Sequence, residues 1–437
     1  MLGVMERRIG LEQEFFLVDR AGALSDRADE FLARCQEVAG AEGLAEERFV
    51  EECSRYLVEI NTPPSCTIAD LERSYLKILN LALRIGWELG VRLYPLATYP
   101  LPVTPALRNE PRYEFQAHTL GRGRFLHAER CAGVHLHLEL PAGTVDPDAV
   151  VSCDAPAAAR EELLNLYNLG TALDPALVAL TRACPFYEGR APGLAVRTAF
   201  YQGSALFGWE GLYTDLPEAG ALRPYARCIE ELVERRLAEH RAWLEAMDRA
   251  GVERRLFFDA GGNVLKSSWS PVRLNQLGTV ELRGMDGNYP EVVLTVAALV
   301  HNVASRVRDE GLTVEPVEYA RTFKASGGRL FVPGFGYLCK NLFYAAATGG
   351  VESPEVSAYL DSVLEFAVPA GQEPGCFAKL RSPGGAYRTT EAEILHNFPP
   401  TNARLPSSDE GLHLVRESCD RLEEQVLAAT RAAGSGP

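Results

Sequence analysis

Long apolar runs and clusters of basic residues are both missing from this chain of 437 residues. No run of about eighteen apolar residues occurs, and the opening MLGVMERRIGLEQEF lacks the long apolar stretch of a signal peptide. The 44 Lys and Arg residues are outnumbered by 59 Asp and Glu, and a formal net charge of -15 disfavours nucleic acid or an anionic membrane as the main partner. We therefore expect a cytoplasmic protein with small-molecule partners, no nucleic acid and no membrane.

The ten cysteines include no C-x-x-C pair, which argues against a zinc site or a thioredoxin-type redox centre. With 47% hydrophobic and 24% charged residues, the chain is long enough to bury a large core. Neither an internal repeat nor a clear interdomain linker is visible. The sequence thus predicts a globular protein with reduced thiols, and its length alone allows one domain or two.

Four short strand-like segments, far apart in the chain, carry polar residues that are nearly all carboxylate, imidazole or guanidinium. They are residues 9–18 (IGLEQEFFLV), 52–62 (ECSRYLVEINT), 133–140 (GVHLHLEL) and 278–286 (GTVELRGMD). Alternate side chains of a strand point to the same face. Three groups therefore each share a face: Glu12 with Glu14, His135 with His137 and Glu139, and Glu281 with Arg283.

Charged groups are rarely buried unless they are paired or bind a metal, so this pattern predicts a bound cation. Oxygen-rich ligand sets with few thiolates favour Mg²⁺, Mn²⁺ or Ca²⁺, and Mg²⁺ commonly shares its coordination shell with water and substrate phosphates. The residue types therefore indicate a nucleotide-dependent enzyme. The ordinary alternatives are a solvated strand face for Glu12 and Glu14, a core histidine at His135, and a structural ion-pair network of Arg283 with Glu281 or Asp286.

Hydrophobic periodicity predicts strands interleaved with long amphipathic helices. The predicted strands lie near residues 8–19, 55–62, 91–97, 132–140, 254–259, 264–274 and 279–285. The predicted helices cover about 26–39, 67–90, 156–171, 223–250, 289–310 and 407–432, the second of them opened by a capping box from Thr67 to Asp70. A tight hairpin at Gly261, Gly262 and Asn263 would make residues 254–285 an antiparallel meander, which argues against a parallel barrel.

Taken together, these segments resemble the family-2 glutamate-cysteine ligases and related carboxylate-amine ligases, which share the glutamine synthetase catalytic fold. The resemblance rests on four motifs in the same order and at similar separations, covering roughly residues 8–300. The motifs are Gly10-x-Glu12-x-Glu14, Glu52 with Glu59-Ile60-Asn61-Thr62, Gly133-Val134-His135-Leu136-His137, and Trp269-x-x-Val272-Arg273 followed by Thr279-Val280-Glu281-Leu282-Arg283-x-x-Asp286.

The resemblance implies an α+β fold in which an antiparallel sheet is curved into a catalytic funnel and flanked by helices. It implies a single catalytic ligase domain over residues 1–437, in which residues 320–437 have no role that can be carried over. ATP, with Mg²⁺ or Mn²⁺, would phosphorylate a substrate carboxylate, and an amine would then attack the acyl phosphate. Glutamate and cysteine are the default substrates, joined to γ-glutamylcysteine through γ-glutamyl phosphate in an ADP-forming reaction that serves glutathione biosynthesis.

Phosphoryl transfer to a carboxylate brings two anions together, so catalysis depends on positioning and on neutralisation of charge. The predicted metal ligands are Glu12, Glu14, Glu52, Glu59, Glu281 and His135. The predicted catalytic residues are Arg283 and Glu281. The planar guanidinium of Arg283 suits a phosphate. Further substrate or ATP contacts are predicted at Arg273, Asn61, Thr62 and His137. A separation of seven puts Glu52 on the opposite face to Glu59 unless a bulge or loop intervenes.

Other interpretations stay open on the sequence alone. The His-x-His pair also begins the metal site of many metal-dependent hydrolases, which would need further histidines at the ends of parallel strands. The same ligase chemistry with another amine, another acyl donor or a carrier-protein acceptor is a second alternative, and a relative that binds nucleotide without turnover is a third. Asp286 is expected to be structural, and most of Arg112, Arg122, Arg124 and Arg130 are expected in a solvated loop.

Overall fold

The fold is built on a seven-stranded sheet in which every pair of neighbouring strands is antiparallel. A computed structural model describes residues 7–368, 374–405 and 407–434. Its strands are β1 (Ile9–Asp19), β2 (Phe49–Glu51), β3 (Leu57–Asn61), β4 (Val91–Tyr94), β5 (Gly133–Glu139), β6 (Val145–Asp146), β7 (Val150–Val151), β8 (Val272–Asn275), β9 (Thr279–Asp286), β10 (Thr313–Val317), β11 (Lys324–Ser326) and β12 (Arg329–Pro333). The main sheet has the order β2-β3-β1-β5-β9-β8, with β4 paired to the end of β1.

Helices cover one face of this sheet and account for most of the remaining chain. They are α1 (Ala28–Ala41), α2 (Ile68–Leu89), α3 (Pro111–Leu120), α4 (Arg122–Glu129), α5 (Ala157–Thr181), α6 (Pro217–Gly220), α7 (Ile229–Arg249), α8 (Arg254–Asp259), α9 (Pro290–Asp309), α10 (Phe335–Tyr337), α11 (Tyr344–Thr348), α12 (Pro354–Ala367), α13 (Thr390–Asn397) and α14 (Ser408–Gly434). Short 3₁₀ helices occupy Glu46–Arg48, Ala205–Phe207, Val264–Ser267, Gly350–Glu352 and Pro374–Leu380, and π-helices occupy Arg197–Gln202 and Leu338–Phe343.

The alternation of side chains along β1 separates the sheet into an apolar face and a charged face. Leu11 of β1, Leu136 of β5 and Leu282 of β9 are buried in one core cluster, against which α2, α5 and α9 pack. Glu12 and Glu14 point the other way. The mixed fold with an antiparallel sheet confirms the α+β prediction.

The apolar face includes one buried polar anchor, at Gln13 in the middle of β1. Its side-chain nitrogen donates to the carbonyl of Asn288 at 2.7 Å, and the hydroxyl of Tyr75 on α2 donates to its side-chain oxygen. Gln13 is fully buried, so these bonds satisfy groups that water cannot reach. They fix α2 and the start of α9 to the central strand.

Two helices illustrate how local sequence sets the elements. The Thr67 hydroxyl accepts the backbone N–H of Asp70 at 3.1 Å, which confirms the predicted start of α2. The helix α5 is longer than the predicted 156–171 and is buried on every side from Leu166 onward. By length and composition it could cross a membrane, but 89% of its most apolar window is buried within the fold, as expected of a core helix.

The predicted meander over residues 254–285 is wrong in its first half. Residues 254–259 form helix α8 and residues 264–267 form a 3₁₀ helix, so the strand predicted over 264–274 is reduced to β8. The predicted hairpin fails because Asn263 caps the 3₁₀ helix, its side chain accepting the N–H of Lys266 at 3.1 Å. Only the turn from Asn275 to Gly278 joins two strands, β8 and β9.

Residues beyond about 310 form a layer behind the core. The strands β10, β12 and β11 make a separate three-stranded sheet, and α14 packs on α2, β4 and α9. A buried ion pair joins Arg182 at the end of α5 to Glu391 at the start of α13. This region therefore packs against the helices of the main sheet. In the described part of the chain, it contributes no residue to the cavity on the charged face.

Candidate active site

The charged residues of five strands meet on one face because of the register of the sheet. Glu12 of β1 lies opposite Asn61 of β3 and His135 of β5, and Glu14 lies opposite Glu59. On the other side of β5, Glu281 lies opposite both His137 and Arg273 of β8. Segments up to 270 residues apart in the chain are thus brought into one row of carboxylates, imidazoles and guanidiniums.

Three carboxylates form what we call the acidic cluster: Glu14, Glu52 and Glu59. One oxygen of each lies within 4.8 Å of the others. The strand β2 ends at Glu51 and β3 begins at Leu57, so Glu52 belongs to the connecting loop. The loop brings the Glu52 carboxylate beside that of Glu59, although a regular strand would put two residues seven apart on opposite faces.

Burial makes this cluster unfavourable without a cation. Burial and the neighbouring Glu52 carboxylate raise the pKa of Glu14 to about 8. Burial, Glu12 and Glu52 raise the pKa of Glu59 well above its usual range, and burial also raises the pKa of Glu52. The N–H of Gly133 donates to Glu14 at 2.5 Å, but no full positive charge is paired with these three groups in the described residues. Protons or a metal ion must therefore neutralise them.

Glu12 is instead stabilised as an anion by two histidines. Its carboxylate oxygens lie 3.1 Å from Nδ1 of His135 and 3.1 Å from Nε2 of His137. Burial opposes ionisation, but the charge of His137 and the contacts with both rings hold the pKa of Glu12 well below its usual range. Burial and the charge of Arg283 lower the pKa of His135 to about 3, so this ring is neutral and can act as a ligand.

Glu281 is fully buried and is surrounded by donors. Arg273 donates to its two oxygens at 2.8 and 3.2 Å, the Asn275 amide donates at 2.6 Å, and Arg283 forms a close ion pair. Burial alone would favour the protonated form, but Arg273 and Arg283 outweigh it and hold the pKa of Glu281 well below its usual range. The two guanidiniums are thereby fixed at the edge of the acidic cluster.

A cavity of about 230 Å³ opens onto these groups. Its charged lining includes Glu12, Glu14, Glu52, Glu59, Arg112, Arg273, Arg283 and His135, and its remaining lining is largely aromatic, with Tyr113, Phe125, Tyr201, Tyr213 and Trp269. A larger cavity of about 1320 Å³, near Phe323 and Arg381, shares none of these residues. We place the site at the smaller cavity because the carboxylates and guanidiniums converge there.

Several lining residues were not predicted from the sequence. Arg112 was expected in a solvated loop, but it lies at the start of α3, with Nη2 3.4 Å from Glu51, and it lines the cavity. Tyr201 lies within a π-helix and Tyr213 lies in a turn before α6. The centroids of their rings are 5.8 Å apart. Helical segments such as these show no strand alternation, so only Trp269, within the W-x-x-V-R motif, gave a signal.

The other arginines expected in a loop are on or beside α4 and are paired away from the cavity. Arg122 pairs with Glu129, Arg124 with Asp215, and Arg130 with Glu188. The loop prediction is wrong for Arg112, Arg122 and Arg124, which lie in helices α3 and α4, and Arg130 directly follows α4.

Four predicted site residues lie beside the cavity without lining it. The Thr62 hydroxyl accepts the backbone N–H of Leu11 at 2.9 Å, and Nδ1 of His137 lies 2.9 Å from the Thr279 hydroxyl. Asn61 neighbours Glu59, and its side-chain oxygen is buried without a hydrogen-bond partner in the described residues. Glu281 lies beneath the two arginines.

The donor set fits a hard divalent cation. Among the described residues, each group of side chains close enough to share an ion consists of glutamates with at most one histidine. These groups are Glu14, Glu52 and Glu59; Glu12, Glu59 and His135; and Glu12, Glu281 and His137. Carboxylate oxygens with an occasional imidazole suit Mg²⁺ or Mn²⁺. Burial and neighbouring carboxylates raise the pKa of Glu14 and Glu59, so a bound cation would stabilise their ionised forms.

Comparisons with known proteins give sequence matches over much of the chain. The sequence profile of glutamate-cysteine ligase family 2 matches residues 8–321. A provisionally named glutamate-cysteine ligase 2-3 of Rubrobacter xylanophilus is 29% identical over 309 residues, 69% of this chain and 70% of that protein. A provisionally named glutamate-cysteine ligase 2 of Pseudomonas aeruginosa PAO1 is 30% identical over 190 residues, which span 43% of this chain and only 44% of that protein.

The fold also has a counterpart among solved structures. A bifunctional glutathione synthetase from Pasteurella multocida superposes with a TM-score of 0.50 at 13% identity, covering 96% of this chain and 52% of that one. At this identity the likeness concerns the fold alone, and it confirms the architecture expected from the resemblance.

Proposed function

Because the chain belongs to glutamate-cysteine ligase family 2, we propose that it is an ATP-dependent carboxylate-amine ligase that works as a single catalytic domain. The observation that supports this most directly is the acidic cluster beside the Arg273 and Arg283 pair. One half of the site lacks positive charge and the other half presents it. A metal-bound triphosphate would supply both complements at once.

We assign Glu12, Glu14, Glu52, Glu59, Glu281 and His135 to metal binding. Mg²⁺ or Mn²⁺ at these ligands would neutralise the ATP phosphates and allow two anions to approach. Glu281 has a second task, since its carboxylate holds Arg273 and Arg283. His137 supports Glu12 from the opposite side to His135.

The proposed reaction has two steps. A carboxylate oxygen of the acyl substrate attacks the γ-phosphorus of ATP, and the bond to the bridging oxygen breaks to release ADP. The amine nitrogen then attacks the carbonyl carbon of the acyl phosphate, and phosphate leaves as the nitrogen loses a proton. Arg283 would face the transferring phosphoryl group, and the Arg273 guanidinium would hold a second phosphate or a substrate carboxylate.

For the substrates we propose glutamate as acyl donor and cysteine as amine, giving γ-glutamylcysteine through γ-glutamyl phosphate. The family supports this choice, and Tyr201, Tyr213 and Trp269 line the cavity beside the charged groups. Asn61 and Thr62, at the end of β3, are the proposed amino-acid contacts.

The rival hydrolase interpretation receives no support from the fold. It requires histidines at the ends of parallel strands, whereas the main sheet is antiparallel. The remaining histidines, His118, His127, His240, His301, His396 and His413, all lie in helices.

The test is ADP release by the purified protein with ATP and Mg²⁺, first with glutamate alone and then with glutamate and a panel of amines. Release that requires glutamate and cysteine, with the dipeptide seen by mass spectrometry, would support the full proposal. Release with another amine would keep the ligase class and change the product, and no release with any substrate pair would contradict the proposal. Glu139→Gln is the matched control for glutamine substitutions of the site glutamates, such as Glu12→Gln. Glu139 is on β5 but pairs with Arg8 at the surface.

A further inference from the structure

The strand β9 has a bulge at the residue proposed to face the phosphate. Leu136 of β5 pairs with Leu282, and Val134 pairs with Met285, so Arg283 and Gly284 together oppose a single residue. On the side of β8, Arg283 continues the strand register, and its N–H donates to the carbonyl of Pro271 at 2.6 Å. Pro271 has no N–H to return, and the Arg283 carbonyl instead accepts from Nη1 of Arg197 at 2.8 Å.

Arg197 is a buried cation that fits closely against this bulge. Only 3% of the residue is exposed, and its guanidinium lies over the Tyr201 ring at 5.0 Å. A Cβ atom on Gly133 would lie 2.4 Å from Nη2 of Arg197, so a glycine is needed for the guanidinium to occupy this position. The Arg197 side chain has no bond to a carboxylate among the described contacts, and its one hydrogen bond goes to the Arg283 carbonyl.

A buried carboxyl group, that of Asp174, lies against the bulge at Gly284. Asp174 is 1% exposed, and neither of its oxygens has a hydrogen-bond partner in the described part of the chain. A Cβ atom on Gly284 would lie 2.1 Å from the Asp174 carboxylate. The bulge is thus held between a carboxylate behind Gly284 and a guanidinium bonded to the Arg283 carbonyl.

The segment that carries Arg197 is itself anchored from the C-terminal layer. The N–H of Ala195 donates to the carbonyl of Ala347 at 2.6 Å, and the rings of Trp209 and Tyr344 stack at 5.9 Å. Arg197 is the first residue of a π-helix, an arrangement that is frequent at functional sites. The segment from Ala195 to Trp209, which includes the π-helix, is therefore held at both ends against residues 344–347.

We propose that Arg197 is a positioning residue: by bonding the bulged Arg283 carbonyl, it sets the direction in which the Arg283 guanidinium points toward Glu281 and the transferring phosphate. The inference rests on the proposed function, because it gives Arg283 a phosphate to meet. It also assigns the C-terminal layer a role in catalysis through Ala347 and Arg197. Arg197 itself does not touch the cavity.

The test is a double-mutant cycle between Arg197 and Arg283, using Arg197→Met, Arg283→Gln and the double variant. We expect Arg197→Met to lower kcat about 10- to 100-fold with KM for ATP changed less than about threefold, because a displacement near 1 Å is enough for such a loss. The double variant should lose no more than Arg283→Gln alone, since the two residues act as a unit. Arg197→Lys, which keeps the charge and a donor, should restore part of kcat.

A second variant moves the guanidinium without altering charge. Gly133→Ala keeps the N–H that bonds Glu14 but occupies the space of the Arg197 side chain, so it should reproduce the kcat loss of Arg197→Met. The control is Arg7→Met, which removes another buried arginine that donates to a backbone carbonyl, that of Ala304. It should lower thermal stability and leave kcat per folded molecule unchanged.

Two outcomes would overturn the inference. One is an active wild type in which the losses of Arg197→Met and Arg283→Gln multiply. The other is a crystal structure of Arg197→Met in which Arg283 still contacts Glu281 in the same position, a result that does not depend on activity. A wild type that releases no ADP with any substrate pair would instead refute the proposed function, so the two failures are distinguishable.

Discussion

Replacing Glu14 by glutamine should stabilise the metal-free protein while removing its response to metal. Burial and Glu52 raise the pKa of Glu14 from 4.5 to about 8. At a pH of about 7.5 the folded protein therefore keeps a proton that the unfolded chain releases. The difference between the pKa of 4.5 in the unfolded chain and the pH of about 7.5 lowers the free energy of unfolding by about 4 kcal/mol, at about 1.36 kcal/mol per pKa unit.

Glutamine avoids this cost and can still accept the Gly133 N–H through its amide oxygen. Burying the new NH₂ group costs about 1–3 kcal/mol, which leaves a net gain of about 1–3 kcal/mol. An unfolding entropy of about 2.1 cal/mol/K per residue gives about 0.9 kcal/mol per degree for this chain, so Tm should rise by about 1–3 °C without metal.

The assay is thermal unfolding with chelator and with Mg²⁺, for wild type and Glu14→Gln. A cation at 100 times its Kd stabilises the folded state by about 2.7 kcal/mol, so Mg²⁺ should raise the wild-type Tm by about 3 °C and leave the variant nearly unchanged. Asp174→Asn is the matched control, because it removes a buried carboxylate outside the acidic cluster and should keep the full Mg²⁺ response.

The pH dependence provides an independent check. A group whose folded pKa is raised contributes stability that is present below its unfolded pKa and is lost as the pH rises through the folded value. Metal-free wild type should therefore lose stability from a pH near 4.5 to about 8, and Glu14→Gln should lose less over the same window. A variant that melts below wild type with chelator and still gains equally from Mg²⁺ would refute the reasoning.

Three further predictions concern the neighbouring groups. Glu12→Gln should abolish metal-dependent ADP release while circular dichroism stays unchanged; full activity would remove Glu12 from the metal site. Glu281→Gln should abolish turnover and also lower the free energy of unfolding by about 3–5 kcal/mol in urea titrations, because Arg273 and Arg283 lose a buried partner. Tyr75→Phe should cost about 1–2 kcal/mol in the same titration, since Gln13 loses a donor, and KM should not change.

The charged strands could be predicted from the sequence because period-two alternation is a local property. Glu12 and Glu14, or His135 and His137, share a face for any register of the sheet. Their meeting across strands depended on the family resemblance, and so did the position of Glu52. The loop after β2 resolves that case without a bulge.

Other parts of the site depend on tertiary packing that no short segment encodes. Phe257 is buried against Phe115 of α3 and Trp243 of α7, and this packing favours a helical turn where the sequence suggested a strand. The cavity is reached by Arg112 and Tyr201 only when α3 and the π-helix pack on the sheet. The same packing brings Arg197 to the Arg283 carbonyl. Isolated cations on such segments look the same in sequence as solvated ones.

The order of the strands also determines when the site is completed during synthesis. The three carboxylates of the acidic cluster lie within residues 14–59 and need only β1, the loop after β2 and β3 to meet. The arginine pair arrives with β8 and β9, more than 200 residues later, after β5 has joined β1. A growing chain therefore gathers its anions long before their cationic neighbours, and contacts this distant in sequence form slowly. Until the arginines arrive, only protons or a bound cation can offset the charge of the three carboxylates.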